Sequence, residues 1–409
     1  MFLANPHAAR CSYDPDLHHV LNMAAGRASR ARLSSWKLLS PVPTPAWSLP
    51  GLANALGVAG ITLKDEAWRS ALGSFKALGA PNALILLAMR RWPQHGWSAE
   101  ELLAGRYAQE LRDWVVISAT DGNHGRALAA AAQSLGCRCA IVLHAEVSAE
   151  REAAIAAYGA DIVRVAGDYD ESVREAERLA RENGWSVVSD TSYAGYEEVP
   201  RDVMQGYGII VDELLQDVAP DAACPWTHVF LQGGVGGLPA GIVSHFWERF
   251  GAQRPSVVVV EPEQADCLYQ SALLGRPARA SGSVDSLMAG LACGETSPLA
   301  WRFLQRAADF FVTVPDLLAE KAMRTLARAP FGDIPVVSGE SGAAGLAALE
   351  AVMANDEWRS LAGLRADSRV LLISTEGATA PNVYARIVGD AAENVRAAQN
   401  RWLEAHRAP

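Results

Sequence analysis

From residue 114 to residue 191 the chain repeats one pattern: a short apolar run, a polar loop, then an alanine-rich stretch that stops at a glycine. The units are 114–136, 138–159 and 161–184, closed by a strand at 186–189. Strands alternating with helices predict parallel pairing with crossovers that cover the sheet. Ser148 and Asp170 stand where helix N-caps are expected, and Gly136, Gly159 and Gly184 where helices should stop. All five are structural features.

Beyond Pro200 the rhythm lengthens. A strand at 228–232 runs into Gly233-Gly234-Val235-Gly236-Gly237 and a helix over 239–250. The run 256–260 is apolar without alternation, the pattern of a strand buried on both faces. Further strands are expected at 334–337 and 369–374, with a helix from Ser341 between them and a helical tail at 391–406. Upstream, residues 1–45 hold five prolines and no sustained period, which predicts loops and short helices over the surface. A turn at Thr44-Pro45 leads to a short helix stopped by Gly57. A strand at 60–64 and a helix over 75–91 follow, the latter broken by Trp92-Pro93. The layout expected is a large domain made of 1–92 and 200–409, interrupted by a small α/β domain at 93–199.

Composition narrows the functional classes. Half of the 409 residues are hydrophobic and a fifth are charged, as in an ordinary globular protein. No apolar run reaches the roughly 20 residues of a membrane helix. Residues 1–10 lack a basic segment followed by an apolar one, so no secretory signal is read and a cytoplasmic location is expected. The net charge of −10 has the wrong sign for binding nucleic acid, which leaves small molecules as the expected partners. Six cysteines form neither a disulfide scaffold nor a CxxC pair, and no metal site is expected. Cys137 and Cys139 read as packing in a strand.

Five stretches could carry chemistry. Lys76, in Ser74-Phe75-Lys76, sits where a strand hands over to a helix, and a lysine amine there can form a Schiff base with an aldehyde cofactor. Taken alone, it fits a surface lysine on a first helical turn better, and only the rest of the chain can overturn that reading. Gly233 to Gly237 would converge backbone amides at a helix N-terminus, an anion cradle suited to a phosphate. It lacks both GxGxxG spacing and a Walker lysine, so a nucleotide is disfavoured. Thr120-Asp121-Gly122-Asn123-His124-Gly125 can bring a carboxylate, an amide and an imidazole to one pocket, although Asp-Gly and Asn also suit a plain turn. Asp190 and Ser374-Thr375-Glu376-Gly377 end strands where open sheets bind ligands.

Together with Ser338-Gly339-Glu340-Ser341-Gly342, these motifs resemble fold-type II pyridoxal phosphate enzymes of the tryptophan synthase β and serine/threonine dehydratase group. Within that group the chain is most similar to diaminopropionate ammonia-lyases. That likeness rests on Lys64-Asp65-Glu66, Thr-Asp-Gly-Asn-His-Gly at 120–125, Gly195-Tyr196-Glu197-Glu198 and Met288-Ala289-Gly290-Leu291-Ala292-Cys293-Gly294-Glu295. The resemblance covers roughly residues 40–390. It implies an α/β, tryptophan synthase β-like fold of two open parallel-rich sheets covered by helices, and a homodimer. It makes Lys76 the Schiff-base lysine, Gly233, Gly234, Val235, Gly236 and Gly237 the phosphate cradle, and Asn123 the partner of the phenolic oxygen. Thr375 or Ser374 would face the pyridine nitrogen.

The activity implied is elimination of ammonia from 2,3-diaminopropionate, of either hand, to give pyruvate. Lys76 would serve as base on one Cα face and Asp121 on the other, with Asp190 recognising or protonating the distal ammonium. A dehydratase of serine-like or other β-substituted amino acids is the second reading, and a non-catalytic binding protein of the same fold the third. The chain departs from the family pattern at Ala67-Trp68-Arg69-Ser70, Gly79-Ala80-Pro81-Asn82 and Ala378-Thr379-Ala380-Pro381, all expected near the pocket. Cys267 and Cys293 lie in family-like segments and form a candidate redox-sensitive pair.

Overall fold

A computed structural model describes every residue except Asp121, Asp168 and residues 407–409, and of Asp170 no side chain is described. Among the described residues eleven strands form two sheets. In chain order they are β1 (Phe2–Ala4), β2 (Ala46–Ser48), β3 (Gly60–Asp65), β4 (Val115–Ala119), β5 (Arg138–Leu143), β6 (Asp161–Arg164), β7 (Ser186–Val187), β8 (His228–Gln232), β9 (Ser256–Pro262), β10 (Phe310–Val314) and β11 (Arg369–Ser374). The larger sheet has the order β1-β10-β9-β8-β11-β3-β2, and the smaller β6-β5-β4-β7.

Every pair in the smaller sheet is parallel, as strands alternating with helices require. In the larger sheet only the two short edge strands, β1 and β2, pair antiparallel. Val257, Val258, Val259 and Val260 of β9 are fully buried, which explains an apolar run without alternation. Ser148 caps the Ala149–Ala156 helix by accepting from the Arg151 amide, and left-handed Gly136 ends the Asn123–Leu135 helix. The expected cap Asp170 falls outside the described side chains. Cys137 and Cys139 are buried.

Three expectations need correction. Residues 334–337 form no strand; Pro335 has no amide to give a ladder, and the segment is buried as irregular chain, with Val336 N–H donating to Leu326 at 2.9 Å. The strand expected at 186–189 is shorter, Ser186–Val187; the Val188 amide still donates to Ile117 (2.9 Å), and the next amide, Ser189, is taken by the Tyr196 hydroxyl (3.0 Å). The N-terminal 45 residues do more than wrap the surface: they supply β1 and a Met23–Leu33 helix, and bury Leu17, Leu21, Leu33 and Trp36. The sequence pattern does not predict β10 or the two edge strands of the larger sheet, β1 and β2.

The Lys76–Arg91 helix is held from three sides. Its entry is paired with the segment after β11: Phe75 N–H donates to Thr375 (3.0 Å) and Gly377 N–H to Gly73 (2.9 Å). The Glu198–Tyr207 helix crosses it at a glycine contact, where a Cβ on Gly206 would lie 2.1 Å from the Leu78 carbonyl and one on Gly79 2.6 Å from the Tyr207 ring. Beneath the turn after β3 lies a buried cluster of two cations and two anions. Lys64 pairs with Glu213 (2.6 Å), and Arg69 with Glu66 (2.8 Å) and Glu213 (2.5 Å). Its charges cancel and nearly every polar atom has a partner, the condition for burying ions at all.

Candidate active site

Four strands deliver their carboxyl ends to one cavity. The turn after β3 leads to Lys76, β4 to Asn123, β8 to Gly233 and Gly234, and β11 to Thr375, and all of these line the same space. Ligands of open α/β sheets bind at that edge. Asp190, just beyond β7, lines it too.

The Lys76 ammonium bonds directly to the Asp190 carboxylate and lies 5.8 Å from the centre of the Tyr207 ring. Burial works against the charged amine, but Asp190 and then Tyr207 outweigh it, and Lys76 is held above the usual lysine range. Burial likewise opposes the Asp190 carboxylate, yet Lys76 and His124 keep it well below the usual range. His124 approaches Asp190 at 3.8 Å through Nδ1, while Nε2 contacts the Val188 carbonyl at 2.9 Å. Burial is the largest influence on its pKa and lowers it, with Asp190 opposing.

Across the cavity, Asn123 Nδ2 donates to Glu376, whose carboxylate also accepts from the Ser341 amide (3.1 Å) and the Thr379 hydroxyl (3.2 Å). Neighbouring Glu340 is pushed up to about 7 by burial and by Glu376, and meets Arg151 of the Ala149–Ala156 helix at 3.4 Å. The glycine loop turns into the Gly237–Phe250 helix with Gly234 at φ 59° and Gly236 at φ 101°, values that suit glycine. A Cβ on Gly233 would stand 2.8 Å from Glu261 Cγ. Burial pushes that glutamic acid up to about 8, and it accepts from the Leu268 and Tyr269 amides at the start of the Cys267–Leu274 helix.

A family model described as "Pyridoxal-phosphate dependent enzyme" matches residues 38–376. The chain belongs to this family of pyridoxal-phosphate dependent enzymes. Among curated relatives, the diaminopropionate ammonia-lyase of Salmonella typhimurium is 38% identical over 360 residues, covering 86% of this chain and 89% of that protein. Among solved structures, diaminopropionate ammonia lyase from Escherichia coli in complex with an aminoacrylate–PLP azomethine reaction intermediate superposes with a TM-score of 0.83 at 34% identity, covering 95% and 96% of the two chains. The same Escherichia coli enzyme in complex with D-serine gives 0.83 at 33%, with the same coverage.

The family's cofactor, pyridoxal 5′-phosphate, fits the residues present. A lysine amine, a helix N-terminus with a glycine-rich loop, an amide and a hydroxyl surround one cavity, and a Cβ at Gly233 would crowd Glu261 and Leu268 behind the loop. Of the two hydroxyls expected at the ring nitrogen, Thr375 lines the cavity. Ser374 is fully buried and bonds to the Ser338 hydroxyl at 2.8 Å, away from it. Asp121 lies outside the described residues. Gly236 backs the loop against Ala300 and Leu304. No disulfide joins Cys267 and Cys293.

The departures from the family pattern fall mostly elsewhere than expected. Ala67 to Ser70 and Gly79 to Asn82 do not line the cavity: Arg69 belongs to the buried ion cluster, and Asn82 donates to the Asp202 carbonyl (2.7 Å). Only Thr379 of the third segment reaches it. Sequence reasoning assigned no role to Tyr207, Glu376 or Arg151. Tyr207 could have been flagged, since an aromatic between two glycines marks a close approach.

Proposed function

We propose that this protein eliminates ammonia from 2,3-diaminopropionate, giving pyruvate. The observation that carries the reading is the contact between Lys76 and Asp190, an amine and a carboxylate facing one cavity with the glycine loop. In this reading Lys76 holds the cofactor covalently, Gly233 to Gly237 bind its phosphate, Asn123 its phenolic oxygen, and Thr375 its ring nitrogen. When bound, pyridoxal phosphate supplies an electron sink for the pair left at Cα after proton loss.

This chain's own groups do the rest. The Lys76 amine, once free of the cofactor, takes the Cα proton from one face, and Asp121 takes it from the other, which admits both enantiomers. Asp190 is the site for the substrate's distal ammonium. Here it faces the Lys76 ammonium, which lowers its pKa, and with Lys76 engaged by the cofactor a substrate ammonium takes that cation's place. A β-ammonium is already protonated, so it departs as ammonia without a further acid. Serine carries no such charge and cannot use this contact. In the relative from Escherichia coli, D-serine is nevertheless bound, which keeps a dehydratase side activity within the reading.

The test is pyruvate formation by the cofactor-loaded protein from D- and L-diaminopropionate and D- and L-serine. A higher kcat/KM for diaminopropionate is expected, and equal or greater values for serine would favour the dehydratase. The proposal extends to a cytoplasmic homodimer, built from a large domain of residues 1–92 and 200–409 and a small domain of 93–199. The division is supported by the smaller sheet, whose strands all fall between residues 115 and 187. Light scattering should give twice the 43.6 kDa of one chain; a monomer mass at micromolar concentration would remove the dimer.

A further inference from the structure

Asn123 has a neighbour that decides how its amide can face. Nδ2 donates to Glu376 Oε2 across 253 positions of sequence, joining the first turn of the Asn123–Leu135 helix to the segment after β11. Glu376 is only 5% exposed and fixed at both oxygens, Oε1 by the Ser341 amide (3.1 Å) and Oε2 by the Thr379 hydroxyl (3.2 Å). Gly339 leaves room for it, since a Cβ there would come within 3.1 Å of Glu376 Cγ. The carboxylate is thus held in one place.

Both oxygens of Glu376 act as acceptors here, whereas a primary amide has one accepting end and one end with two N–H donors. Opposite Glu376, Asn123 must therefore present its NH2 end. One of the two hydrogens is taken by Glu376. The other is left for the cavity, which both residues line. We infer that Glu376 is a positioning residue that fixes the Asn123 amide with its NH2 end toward the site, so that its second N–H meets the cofactor's phenolic oxygen. The inference rests on Asn123 being the phenolic partner. A glutamine at 376 would keep the size but remove the choice, because its own amide can donate to Asn123 Oδ1 as readily as accept from Nδ2.

The test compares the cofactor-loaded wild type with Asn123→Ala, Glu376→Gln and the double variant, reading the visible absorption band of the bound cofactor, kcat and KM. Asn123→Ala should move the band. Glu376→Gln should move it in the same direction and lower kcat by about tenfold, the weight of one hydrogen bond, with KM little changed. In the Asn123→Ala background the Glu376 substitution should add nothing further, the mark of two residues acting as one. A wild-type band in Glu376→Gln, or effects that multiply in the double variant, would overturn the inference while leaving Asn123 at the phenolic oxygen. An unmoved band in Asn123→Ala would overturn that placement and the inference with it. If Glu376→Gln does not fold, Thr379→Val removes one anchor of the carboxylate and keeps its charge. A smaller shift in the same direction is then expected, and no shift would count against the role of Glu376.

Discussion

Lys76 and Asp190 form the pair on which substrate choice turns. Each holds the other charged against the cost of burial. When the lysine is engaged by the cofactor, the carboxylate loses its cation and is left for a substrate ammonium. Asp190→Asn should therefore lower kcat/KM for diaminopropionate by about a hundredfold or more, the usual weight of a charged catalytic contact, and lower it much less for serine. Steady-state kinetics on both substrates checks this, and equal losses would show that Asp190 acts on the cofactor or on folding instead. The residue types that need unusual surroundings were the ones legible in the sequence: a lysine after a strand, four glycines in five positions, an Asn-His turn. Glu376 and Tyr207 were not, because their neighbours come from distant segments. Nothing near Glu376 in sequence points to Asn123, 253 positions away.

At the scale of elements, parallel strands and their helices were legible wherever the apolar runs were clean, as in β4, β5, β8, β9 and β11. Segments whose apolarity serves another purpose misled. Ile334, Val336 and Val337 are buried as tightly as a strand, yet pack as irregular chain beside Pro335. The short edge strands carry too few residues for a period of two to stand out.

The 338–342 loop carries a prediction of its own. The Glu340 carboxyl titrates near 7 in the folded protein against an ordinary 4.5, so between those values the folded state binds more protons than the unfolded chain. Stability should then fall as pH rises from about 4.5 through about 7, by a few kcal/mol at most, and stay level above. Glu340→Gln should flatten that slope in urea unfolding measured between about pH 5 and about pH 8. A slope the variant shares with the wild type would place its origin elsewhere.

Across the whole molecule, the cavity draws its walls from both sheets. Lys76, the glycine loop and Thr375 come from the larger one, and Asn123 and His124 from the smaller. A ligand touching all of them bridges the two, and hydrogen bonds such as that from Asn123 to Glu376 already cross the gap. The chemistry assigned to this shared cavity has a stoichiometry of its own. Elimination of the β-amine releases one ammonia, and hydrolysis of the three-carbon enamine that remains releases a second together with pyruvate. The most direct measurement is the ratio of ammonia to pyruvate formed by the cofactor-loaded protein from diaminopropionate. Two ammonia per pyruvate is expected, against one per pyruvate from serine; ammonia from diaminopropionate without pyruvate, or no product while the cofactor remains bound, would contradict the proposed function.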